Sequence, residues 1–105
     1  MKSGVEIIAE ERKRQIEVEG WTLEHDDEHR CGELSDAAVC YATRGYWRNY
    51  QRNPAYSMIW PFSVDWWKPM ADDLLGEEYI DGRIKELAKA GALIAAEIDR
   101  LQRIK

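Results

Sequence analysis

The chain is 105 residues long, 45% hydrophobic and 33% charged, with 15 basic residues against 20 acidic ones. That is one domain's length, with no apolar run of the roughly 18 residues a membrane span needs. A net charge of −5 does not suit a protein that coats duplex nucleic acid. Cys31 and Cys40 lack zinc-type spacing, and the N-terminal stretch turns charged too early for a signal peptide, so a reduced chain in the cytoplasm is expected.

The first helix is predicted over about residues 3–19. Ser3 and Glu6 form a capping box, Val5, Ile8, Ala9, Arg12 and Ile16 follow helical spacing, and Gly20 stops the helix. Residues 21–30, WTLEHDDEHR, read as a polar connection in which Asp26 or Asp27 caps the next helix. The second helix spans about residues 29–44, with Leu34, Ala37, Ala38, Tyr41 and Ala42 on one face and Gly45 at its end. Its apolar residues are small, so a neighbouring helix can approach closely.

Residues 46–80 are punctuated by Pro54, Pro61 and Pro69, each of which turns its predecessor away from helix. The segment is too aromatic for a disordered linker, and long connections without regular structure are usually functional. It is expected to be an ordered, packed insertion. The third helix covers about residues 81–104, with Asp81 as N-cap. Ile84, Leu87, Gly91, Ile94, Ile98 and Leu101 alternate steps of three and four, a heptad seam. At 1.5 Å per residue this helix runs about 36 Å, more than one small domain needs to cover. It is expected either at the centre of a bundle or as a homo-oligomer surface. The fold class expected is all-α, a small bundle of three main helices with an aromatic insertion between the second and third.

Four constellations carry chemistry. Glu33 and Asp36 share a face of the second helix, and with Glu10 and Glu11 they offer the oxygen ligands that Mg²⁺ takes; a chain with this many acids also places some there by chance. His25 and His29 are spaced for a metal only if their segment is helical, and no third ligand is evident, so hydrogen bonding by imidazole is the expected role. Trp60, Trp66, Trp67 and Lys68 combine stacking faces with a cation, which suits a base and its phosphate, although tryptophans also pin loops onto a core. Arg12 sits on the apolar side of the first helix and needs a partner, either a buried carboxylate or an anionic ligand. Only residues 31–70 are not net acidic, and nine of the eleven aromatics lie there, a balance that suits a compact anionic ligand with a flat ring. No glycine-rich phosphate loop, serine elbow or activated cysteine is present, which disfavours covalent catalysis.

The blocks EGWTLEHDD, GELSDAA, WWKP and KAGALIAAEIDRL span almost the whole chain, and together they resemble a group of small proteins encoded by phages and prophages. That resemblance implies a phage-encoded protein acting in the cytoplasm of a bacterial host. It carries no chemistry of its own. A fainter resemblance is to the MazG-like all-α nucleoside triphosphate pyrophosphohydrolases. Glu33-x-x-Asp36 matches the second half of their acidic pattern, while Glu10 and Glu11 match the first half loosely, with Arg14 standing where an acid is wanted.

The residues support three readings. In the first, the chain binds a nucleotide-like ligand without cleaving it, sequestering a nucleotide immune signal of the host. Arg12, Trp21, Trp60, Trp66, Trp67 and Lys68 then form walls and phosphate contacts, and Thr22, His25, Asp26 and Asp27 read ribose or base edges. No cofactor is required. In the second, the chain is a Mg²⁺-dependent pyrophosphohydrolase using Glu10, Glu11, Glu33 and Asp36. In the third, it inhibits a host protein. The expected partners are a small nucleotide-type ligand and further copies of the chain, not duplex nucleic acid or a membrane.

Overall fold

The computed structural model describes residues 1–43 and 76–105. These residues form four helices and no strand, as the all-α expectation requires. The expected stop at Gly45 and the aromatic insertion up to residue 75 lie outside the described residues.

Helix α1 runs Gly4–Glu17. Its capping box is present: the Ser3 hydroxyl accepts from the Glu6 amide at 3.2 Å, and the Ser3 amide donates to the Glu6 carboxylate at 3.3 Å. Val18 is the C-cap, and Gly20 then adopts φ +74°, a left-handed turn suited to glycine. The buried line differs from the expected one. Val5 and Ile16 are exposed, whereas Ile8, Arg12 and Gln15 turn inward. Helical spacing allows both faces; contact with the last helix selects the second.

The segment expected as a polar connection contains a five-residue helix, α2 (Leu23–Asp27), whose N-cap Thr22 accepts from the His25 amide at 3.3 Å. Asp26 is therefore not a cap. It lies inside the turn, its amide bonded to the Thr22 carbonyl, and its side chain is fully buried. Helix α3 (Glu33–Ala42) starts later than expected, after Gly32 at φ +86°. Leu34, Ala37, Ala38 and Tyr41 are buried as their spacing requires, and Ala42 is exposed.

Helix α4 (Gly76–Ile104) is 29 residues long, so Asp81 lies within it and is not its N-cap. It packs against α1, α2 and α3. Ala90, Leu93 and Ala96 meet Leu34, Ala37, Ala38 and Tyr41, with Trp21 packed against this core. Alanines on both partners let the backbones approach, and at Gly91 the space of a side chain is taken by Ile8 of α1. The heptad-seam residues do not enter this core: Ile84, Leu87, Ile94, Ile98 and Leu101 are all exposed.

Polar contacts tie the ends together. Arg83 Nη1 donates to the Tyr41 carbonyl at 2.9 Å and to Glu86 at 3.1 Å, and Nη2 donates to the Ala42 carbonyl. A cation thereby satisfies carbonyls that the end of α3 leaves open. Arg103 bonds Asp27 at 2.7 Å and joins the end of α4 to α2. Among the described residues no helix is long and apolar enough to cross a membrane. Cys40 is buried and Cys31 exposed, and no disulfide joins them.

Candidate functional site

The expected ligand residues converge in part at the junction of α1 and α2. Helix α1 presents Arg12 and Gln15 three residues apart on its inward face, and the turn at Gly20 brings α2 back against them. Arg12 Nη2 donates to Asp26 Oδ2 at 2.8 Å, with the arginine side chain only 12% exposed and the aspartate fully buried. Burying both charges is costly unless each is paired and hydrogen-bonded. The pairing is incomplete. Arg12 Nε and Nη1, Asp26 Oδ1 and Gln15 Oε1 are all buried without a hydrogen-bond partner among the described residues. Buried polar atoms are nearly always satisfied, so four such atoms at one junction call for an explanation.

An aromatic row borders this pair. The Trp21 ring stacks on His25 at 5.5 Å with a 20° interplanar angle, and His25 meets His29 edge-on at 4.8 Å. Their Nε2 atoms stand 3.5 Å apart. Each Nδ1 faces a carboxylate, His25 toward Asp26 at 3.6 Å and His29 toward Glu33 at 3.3 Å. At 3.6 Å the former is out of hydrogen-bond reach, and both atoms are buried without a hydrogen-bond partner among the described residues.

On the other side of Trp21 and Gln15 lies a small open pocket completed by Glu11, Arg14, Glu19, Tyr41, Lys89 and Leu93. Glu11 grips Arg14 with two bonds, at 2.7 and 2.8 Å, and Glu19 takes Nη1 at 2.9 Å. Hydrogen bonds donated to Glu11 first and Glu19 second hold the Arg14 pKa above its ordinary value. Lys89 Nζ lies 5.3 Å from the centroid of the Tyr41 ring. The cavity measures about 40 Å³, room for about three waters.

The structure thus brings Arg12, Trp21, His25 and Asp26 together. Thr22 serves as the α2 cap, and Asp27 turns away to Arg103. Trp60, Trp66, Trp67 and Lys68 lie outside the described residues. The four acids of the metal-dependent reading do not converge: Glu10 pairs with Lys2 at 2.8 Å, Glu11 with Arg14, Glu33 with His29 and the Cys31 amide, and Asp36 is exposed. Among the described residues, no group of three or more His, Cys, Asp or Glu side chains is placed to hold a metal ion.

Sequence reasoning missed Gln15, which contributes to both the ion-pair junction and the pocket. Its signal was the spacing from Arg12, which places both side chains on one face of α1. It also expected no helix over residues 23–27, which carry His25, and placed His29 at the start of the next helix, whereas His29 lies between α2 and α3. Compared with family models, with curated proteins and with solved structures, the chain matches none.

Proposed function

We propose that this chain is a binding protein for a small anionic, nucleotide-type ligand, held at the α1–α2 junction without being cleaved. The observation that carries this reading is the buried Arg12 guanidinium, which spends one nitrogen on Asp26 while Nε and Nη1 have no partner among the described residues. Two directed donors beside unpartnered acceptors on Asp26 and Gln15 suit a ligand that offers both oxygens and hydroxyls. The stacked Trp21–His25 pair adds a flat apolar face for a base. The neighbouring cavity holds only a few waters and is lined by neither Arg12 nor Asp26, so the ligand is not placed inside it. The pairing of Glu10 with Lys2 and Glu11 with Arg14, and the contact of Glu33 with His29, favour retention over metal-dependent cleavage. In the setting that the phage resemblance implies, the role is to sequester a nucleotide immune signal in the cytoplasm of a bacterial host.

Native mass spectrometry of the full chain with a nucleotide panel that includes cyclic and ADP-ribose-type molecules tests this, with and without Mg²⁺. An intact nucleotide retained by the wild type, and lost in a folded Arg12→Gln variant, is the expected result. A released product would move the assignment to a hydrolase. No retained mass across the panel would refute the reading.

A further inference from the structure

The long helix α4 carries a row of large aliphatic side chains that the core among the described residues leaves about half exposed. Ile80, Ile84, Leu87, Ile94, Ile98 and Leu101 are each between 43 and 57% exposed. Their steps of four, three, seven, four and three keep a heptad register through Gly91. That period matches a second helix rather than a flat surface, because only a supercoiled helix follows a 3.5-residue repeat. At Gly91 the row lacks a side chain, but an ideal Cβ there would lie 2.7 Å from Ile8 Cδ1, so the α1 side chain fills the notch.

From this we infer that α4 is the interface of a homodimer, paired with α4 of a second copy in antiparallel orientation. Area supports the pairing. Six aliphatics about half exposed offer about 550 Å² per copy, or about 1,100 Å² in all, just past the roughly 1,000 Å² at which specific interfaces begin. Charge fixes the direction. The N-terminal end of α4 carries the exposed acids Glu77, Glu78 and Asp81, whereas its C-terminal end carries Asp99, Arg100 and Arg103, the last already bonded to Asp27, with Lys105 just beyond it. Parallel copies would set three acids against three acids. Antiparallel copies keep the two acidic ends apart and oppose the two helix dipoles. Centring the pair at the level of residues 92–93 places Ile84 against Leu101 of the second copy and Leu87 against its Ile98.

Sedimentation equilibrium of the full chain at about 100 µM tests the dimer, a concentration suited to an interface at the small end of the specific range. The expected mass is twice the 12.3 kDa of one chain. The Leu87→Lys/Ile98→Lys variant should halve that mass with unchanged helical circular dichroism, since both positions are exposed in the single chain. Orientation is read from Leu87→Cys/Ile98→Cys in a Cys31→Ser background under mild oxidation. Antiparallel pairing gives intermolecular 87–98 disulfides by peptide mapping. Links of 87 to 87 and 98 to 98 would overturn the orientation. A wild-type monomer, with the row covered by residues 44–75 or kept for another protein, would overturn the dimer. So would a dimer whose mass the lysine pair leaves unchanged.

Discussion

Replacing Asp26 by Asn separates the charge of the buried pair from its shape. The side chain is fully buried, its Oδ2 lies 2.8 Å from Arg12 Nη2, and the arginine is nearly as enclosed. The amide fills the same space and its oxygen still accepts from Nη2. What disappears is the negative charge, which leaves a guanidinium in a place where water cannot solvate it. Breaking a buried pair on one side costs about 3–5 kcal/mol. The retained hydrogen bond puts this variant at the lower end, about 3 kcal/mol. At about 4 °C of melting temperature per kcal/mol for a chain of this size, the expected drop is about 12 °C. Arg12→Met should cost a similar amount, since it strands the carboxylate. The double variant removes both charges and should recover most of the loss, with a coupling energy of about 2 kcal/mol or more. Urea unfolding of all four proteins at one concentration, followed by circular dichroism, provides the cycle. If Asp26→Asn lies within about 0.5 kcal/mol of the wild type, the pair is not a buried charge interaction. Strict additivity of the two single changes would refute the reasoning equally.

Two further outcomes are expected from the helix contacts. Gly91→Ala pushes a methyl group to 2.7 Å from Ile8, so overpacking should outweigh its gain in helix propensity and cost about 1 kcal/mol net; in an Ile8→Ala background the same change should stabilise by about 1 kcal/mol. Thermal denaturation reads this reversal of sign, and the same sign in both backgrounds would remove Ile8 as the cause. Arg83→Lys keeps the charge but loses the planar fork that reaches the Tyr41 and Ala42 carbonyls together, and should cost about 1–3 kcal/mol. Amide hydrogen exchange should then rise first at the C-terminal turn of α3, and unchanged protection there would show that the cap is dispensable.

Much of this architecture was legible in the chain because it depends on local chemistry. The Ser3–Glu6 capping box, the small apolar face of α3 and the long helix near the C-terminus each come from spacings of three and four residues, which local backbone geometry converts directly into a face. Arg12 was also legible as an ionic residue in need of a partner, because an arginine on an inward face cannot be buried alone. Its partner was not legible. Asp26 lies fourteen positions away, and the reversal at Gly20, together with a helix too short to show a period, decides which carboxylate meets it. The same limit applies to the choice between equivalent faces. Val5 and Ile16 have as strong a claim on the core as Ile8 and Gln15 until α4 arrives, and Gly91 accepts Ile8 only. In α4 the heptad row was readable residue by residue, yet its exposure was not. The alanine row on an adjoining face wins the contact with α3, since small side chains allow closer backbone packing, and the larger aliphatics are left outward. Sequence by itself therefore determined which segments are helical and which side chains need company. Only tertiary structure decided which company they keep, because that depends on contacts between residues distant along the chain.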